Sequence, residues 1–124
     1  MTEYLTVLEV LAMHADQIER YGGSSGVRDP GQLEAALFRP QTGYYADLME
    51  EAAALWESLS QNHPFIDGNK RTAYVAMELF LDLNGFAFVA SDADAVITML
   101  NMAAHDIADV DFTLWVRANA VLRE

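Results

Sequence analysis

"NHPFIDGNKRTAYVAMELFLDLNG", residues 62–85, is the stretch on which the fold turns. From Asn69 to Leu83, the residues Ala73, Val75, Ala76, Met77, Leu79, Phe80, Leu81 and Leu83 place apolar side chains around most of a helical circumference. Asn84-Gly85 supply a C-terminal stop. A helix apolar on so many sides must be covered on several of them, so the pattern predicts a central helix with other elements packed around it.

Working outward, the flanking sequence carries helix punctuation. Between Tyr4 and about Arg20, Leu5, Leu8, Leu11, Ala12, Ala15 and Ile18 recur at helical spacing, and Gly22-Gly23 follow as a stop. Asp29 is placed to cap a short helix with Pro30 in its first position, Leu33, Ala36 and Leu37 facing inward and Pro40 closing it. Asp47 with Glu50 reads as an acidic capping box for a helix ending near Gln61, with Ala52, Leu55, Trp56 and Leu59 on one side. Ser91 with Asp94 opens another helix to about Ala104. Asp111 is expected to cap a last one carrying Phe112, Leu114, Trp115, Val116 and Leu122, and "GFAFVA" at 85–90 is a short extended piece. The expectation is an all-α bundle of about six helices around the central one, in a single domain spanning residues 1–124.

Composition narrows the function. Nineteen acidic residues face seven basic ones, Lys70 and six arginines, for a net charge of −12. Such a surface repels phosphate backbones and anionic lipid, so direct nucleic acid or membrane binding is disfavoured. The absence of cysteine removes disulfide and thiolate chemistry. With no basic-then-apolar leader and no run of about 18 apolar residues, a cytoplasmic location is expected.

Against that background the Lys70-Arg71 pair stands out. It falls in the first turn of the 69–83 helix, where free N–H groups and the positive end of the helix dipole already favour anions, so two cations there oppose helix stability. A bound anion resolves the conflict. Gly68 permits a tight turn and close approach to the backbone, and arginine and lysine suit phosphate oxygens. Asp67 beside a phosphate is repelled unless Mg²⁺ lies between, and one carboxylate with phosphate oxygens and water is an ordinary Mg²⁺ environment. His63 is the candidate base, because imidazole is the side chain whose unperturbed pKa suits proton exchange near neutral pH. Phe65 and Ile66 are expected to anchor the loop in the core. His14 and His105 show no metal-ligand spacing with His63, which argues against zinc.

"HPFIDGNKRTA", residues 63–73, resembles the signature of the Fic/Doc superfamily in the form carried by death-on-curing (Doc) toxins of bacterial toxin-antitoxin modules. "RYGGSSGVRDPGQLEAAL" at 20–37 and "FLDLNGF" at 80–86 resemble the flanking Doc regions in the same order, so the likeness spans nearly the whole chain. The resemblance implies a Fic fold and transfer of part of ATP to a protein hydroxyl. His63 would be the base, Asp67 the Mg²⁺ ligand, Gly68 and Asn69 the shapers of an anion hole, Lys70 and Arg71 the phosphate binders, and Phe65 the loop anchor.

Two positions depart from the AMP-transferring Fic pattern. Where those enzymes carry a second glycine and a second arginine, this chain has Lys70 and Tyr74. A lysine side chain obstructs phosphates packed on bare backbone, and the missing arginine removes a nucleotide contact. The lysine form is that of Doc toxins, which implies transfer of the γ-phosphate to elongation factor Tu and neutralisation by a Phd-type antitoxin whose C-terminal segment folds on the toxin. AMP transfer and a catalytically retired interaction module remain the alternatives. The loop from Arg20 to Arg28 is either a border of the site or a plain connector.

Overall fold

A computed structural model describes residues 1–123. The elements, in chain order, are α1 (Val7–Tyr21), α2 (Pro30–Phe38), a 3₁₀ turn (Arg39–Gln41), α3 (Leu48–Gln61), α4 (Asn69–Leu83), β1 (Phe86–Phe88), α5 (Asp92–Ala103), α6 (Asp109–Ala118) and β2 (Ala120–Leu122). The architecture is all-α, with one small antiparallel ribbon pairing Phe86 with Leu122 and Phe88 with Ala120.

α4 is the central helix. Thr72, Ala73, Ala76, Met77, Phe80 and Leu81 are buried along it, and α1, α3 and β1 all pack against it. Its most extensive partner is α3, which buries Ala52, Leu55, Trp56 and Leu59. Trp56 is wholly buried and meets Phe112 of α6 at 4.9 Å, Tyr74 of α4 at 5.1 Å and Trp115 of α6 at 5.8 Å between ring centroids. These aromatic contacts join three helices. Asn84 ends α4 by donating to the Phe80 carbonyl, and it also bonds the backbone of Glu3 in both directions, tying down the N-terminal segment.

Several local expectations are corrected. α1 begins at Val7, because Thr6 and Glu9 form a reciprocal capping box. Its buried stripe is Val10, His14 and Gln17, whereas Leu8 is 78% exposed. His14 finds a partner inside in the Asp67 carbonyl, while Leu8, Ala12 and Ala15 of the apolar periodicity face solvent. Asp47 caps α3 through the Glu50 N–H, but Glu50 returns its carboxylate to the N–H of Ala46, one residue before the cap. α2 ends at Phe38, and Pro40 sits within the following 3₁₀ turn. Asp111 does not cap α6: the helix starts two residues earlier behind Ala108, and Asp111 lies in its first turn, where its charge still complements the dipole. That helix also stops at Ala118, and Leu122 belongs to β2, where it is exposed. Among the described residues no helix is long and apolar enough to cross a membrane.

Candidate active site

The segment between α3 and α4 is a short loop pinned at several points. Phe65 is 1% exposed and stacks on the buried ring of His14 from α1, centroids 3.8 Å apart and planes 4° from parallel. The Asn69 side chain closes the loop on itself, accepting from the Phe65 N–H at 2.9 Å and donating to the Phe65 carbonyl at 3.0 Å. His14 Nε2 contacts the Asp67 carbonyl oxygen at 2.8 Å. Ile66, expected to be an anchor, is 57% exposed and lies over Gly26 instead. In an extended segment neighbouring side chains face opposite ways, so Phe65 and Ile66 cannot both enter the core.

The 22–28 loop after α1 lies along the motif. Val27 forms a β-bridge with Phe65, and the Ile66 N–H donates to Gly26. Ser24 donates its N–H to Asp67 Oδ2 at 3.2 Å, and Gly68 donates to Asp67 Oδ1 at 2.9 Å. These backbone N–H bonds, from Ser24 first and Gly68 second, hold the Asp67 carboxyl below the usual aspartate range, so it is ionised at neutral pH.

Gly68 caps α4 at φ +76°, in the left-handed region, and no side chain caps the helix. Thr72 is the first residue to donate back to the cap, to the Gly68 carbonyl at 3.0 Å, so the N–H groups of Asn69, Lys70 and Arg71 have no intrahelical acceptor. Asn69 thus offers its backbone to this helix end, since its amide is engaged with Phe65. Arg71 donates Nη2–H to the Gly22 carbonyl at 3.0 Å and lies 5.2 Å from the Tyr21 ring centre, which leaves other guanidinium donors open. Lys70 is exposed and has no hydrogen bond or ion pair among the described residues.

The charges are unevenly shared. Arg20, Arg39, Arg117 and Arg123 each sit against a carboxylate. The remaining cations, Arg28, Lys70 and Arg71, all attach to the motif and its bordering loop, a local positive patch on an acidic molecule. Asp67 keeps free lone pairs on both oxygens, and no group of three or more His, Cys, Asp or Glu among the described residues is placed to hold a metal. A Mg²⁺ bound here would therefore have one protein carboxylate, with the ligand's phosphate oxygens and water completing it. The residues present fit that group.

His63 is exposed on the same loop with φ +48°, and its carbonyl accepts from Arg28. The structure thus brings His63, Phe65, Asp67, Gly68, Asn69, Lys70 and Arg71 onto one loop and helix end. His14 was not named as a contributor, whereas Ser24 and Arg28 enter through the Arg20–Arg28 loop, which borders the site and is not a plain connector, although neither residue was singled out. A polar residue at core spacing, four residues after Val10 and three before Gln17, was the available signal for His14. A groove of about 490 Å³ between α3 and α6 shares no residue with this site.

Residues 4–81 match the model of the Fic/DOC family. The chain belongs to the Fic/DOC family. It is 43% identical over 117 residues to "Toxin Doc" of Mycolicibacterium smegmatis (strain ATCC 700084 / mc(2)155), an alignment covering 90% of this chain and 88% of that protein. It is 38% identical over 95 residues to "Protein kinase doc" of Escherichia phage P1, covering 73% and 75% respectively. The matched family region runs through α1, the 22–28 loop, the motif and most of α4, the elements that build the site.

Proposed function

We propose that this Fic/DOC chain is the toxin of a toxin-antitoxin pair and transfers the γ-phosphate of Mg-ATP to a protein hydroxyl. The observation that carries this reading is the α4 N-terminus: an uncapped helix end bearing Lys70 and Arg71, flanked by the ionised Asp67 and the exposed His63. The names of these two relatives, a toxin and a protein kinase, agree with it.

In this mechanism the free N–H groups of Asn69, Lys70 and Arg71, with the two cationic side chains, bind and orient the phosphate chain. One ring nitrogen of His63 accepts the proton of the target hydroxyl as its oxygen bonds to the γ-phosphorus. The bond from that phosphorus to the β-phosphate oxygen breaks, and ADP leaves. Asp67 would hold Mg²⁺, which would supply charge neutralisation for the phosphates. Positioning, charge and a base suffice for phosphoryl transfer.

Tyr74 supports phosphate over AMP transfer. At the position where AMP-transferring relatives carry an arginine, it packs 5.1 Å from Trp56 and 6.0 Å from Phe88 in the aromatic cluster. A phenol carries no positive charge in either ionisation state, so Tyr74 cannot replace the arginine's contact to a nucleotide, and burial raises its pKa to about 12, which keeps it from becoming an anion. The proposed target is elongation factor Tu, giving translation arrest in the cytoplasm. The proposed partner is a Phd-type antitoxin whose C-terminal segment folds on the toxin.

The test is to incubate the protein and its His63→Ala variant with elongation factor Tu, Mg²⁺ and ATP and to weigh the target by intact mass spectrometry. A gain of roughly 80 Da, one phosphate, that is absent with the variant is expected. A gain of one AMP overturns the phosphate assignment. No gain in this target or in a whole lysate overturns the enzyme reading.

A further inference from the structure

Arg28 has no carboxylate partner among the described residues, although the chain holds 19 acidic residues. Its guanidinium donates Nε–H to the His63 carbonyl at 2.7 Å and Nη2–H to the Asn62 carbonyl at 3.0 Å. The backbone N–H groups of Arg28 and Asp29 both donate to the Pro64 carbonyl, at 2.8 and 3.0 Å. Three consecutive carbonyls, 62, 63 and 64, therefore converge on one dipeptide.

The residue at the middle of this arrangement is held in an unusual backbone state. His63 has φ +48°, a left-handed conformation that residues with a Cβ rarely adopt. The proline that follows restricts its backbone further. Relaxation to negative φ would rotate the peptide planes on either side and swing the imidazole away from its present direction. Arg28 grips the oxygen of each of those two planes. A rigid planar fork can hold two carbonyls at once, whereas an ammonium is a single point on a flexible stem.

We propose that Arg28 is a positioning residue: its side chain fixes the left-handed backbone of His63 and so aims the imidazole at the hydroxyl that reacts. The inference rests on the reading of His63 as the proton acceptor. Strain held at one residue of a site by contacts from outside it is a recurrent means of pre-organising a catalytic group.

The test compares Arg28→Ala, Arg28→Lys and, as a control for lost positive charge, Arg20→Ala, whose guanidinium pairs only with Asp16 on the surface of α1. The imidazole ¹H–¹³C NMR signal of His63 is assigned by its absence from His63→Ala. Arg28→Ala should shift or broaden that signal with the melting temperature lowered by no more than about 4 °C. Arg20→Ala should leave it in place. Where phosphoryl transfer is measurable, Arg28→Ala should lower kcat by roughly 10- to 100-fold at unchanged KM for ATP, since misplacing a catalytic group affects the chemical step. Arg28→Lys should recover only part of the loss, and added methylguanidinium should restore activity to Arg28→Ala. An unmoved His63 signal overturns the proposal, as does a raised KM at unchanged kcat, which would make Arg28 a nucleotide ligand. If the wild type transfers nothing, the proposed function fails, and the NMR signal still decides whether Arg28 holds His63.

Discussion

A methyl group on Gly23 would stand 2.7 Å from Oδ2 of Asp67, and Gly23 has φ +114°. Gly22 also has positive φ, +83°, but a methyl group there meets nothing within 4 Å. The pair separates backbone strain from displacement of the carboxylate. Gly22→Ala should destabilise by about 1 kcal/mol, and Gly23→Ala by about 1–3 kcal/mol because Asp67 must also move. Calorimetric titration with ATP, with and without Mg²⁺, checks the functional half: Gly23→Ala should lose the gain in affinity that Mg²⁺ confers, and Gly22→Ala should keep it. Equal behaviour of the two variants would mean that Asp67 adapts. At this scale the motif residues were legible because their chemistry sits in one short run, 63–71. Arg28 and His14 were not, because they act through backbone carbonyls 34 to 53 positions away along the chain, and no local pattern encodes such pairs.

α4 carries no side-chain N-cap and two cations in its first turn, so the element is locally less stable than it could be. Replacing Lys70 by Glu should favour the dipole by about 0.3–1 kcal/mol and raise the melting temperature by roughly 1–4 °C. The same variant should lose growth arrest, because a carboxylate there repels phosphate. A variant both less stable and inactive would show that Lys70 supports the fold instead. α3 has the opposite design. Asp47 caps it and receives Arg117 of α6 at 2.8 Å, and these bonds, Arg117 foremost, hold the Asp47 carboxyl below its usual range. A carboxyl depressed in the folded state contributes stability above its unfolded pKa, and that contribution is lost as pH falls through the folded value. Denaturant titrations at pH 7 and at about pH 3 should therefore show Asp47→Ala costing about 1 kcal/mol at the higher pH and less at the lower. An equal cost at both would assign the effect to packing. Helix starts marked by a capping aspartate or serine, as at Asp29, Asp47 and Ser91, were readable from local chemistry. α6 begins behind an alanine and α1 buries polar residues, so for these tertiary packing decided what spacing could not.

Across the whole molecule, net repulsion competes with a few ion pairs, and their magnitudes decide the salt response. Of the four ion pairs among the described residues, three are substantially solvent-accessible, with side-chain exposures of 65 and 50% for Arg20 and Asp16, 44% for both Arg117 and Asp47, and 50 and 55% for Arg123 and Asp82, while Arg39–Glu57 is more covered. Pairs of this kind contribute roughly 0–1 kcal/mol each and are screened by salt. Opposing them is a net charge of −12 gathered within a radius of gyration of about 14 Å, well inside the Debye length of about 30 Å at 10 mM salt. Unfolding spreads those charges, so low salt favours the unfolded chain. Near 1 M salt the Debye length falls to about 3 Å and both effects fade, but repulsion is the larger loss. The melting temperature should therefore rise by several degrees between about 10 mM and 1 M sodium chloride. Nucleotide binding should respond the other way once general repulsion is screened, because Lys70 and Arg71 at the α4 N-terminus attract phosphate and salt weakens that attraction. Differential scanning fluorimetry and ATP titrations on one salt series read both. A melting temperature that falls with salt would mean that the ion pairs outweigh the acidic surface. Rising stability with falling ATP affinity is the pattern expected when the acidic surface and the phosphate site sit on one molecule with opposite electrostatics.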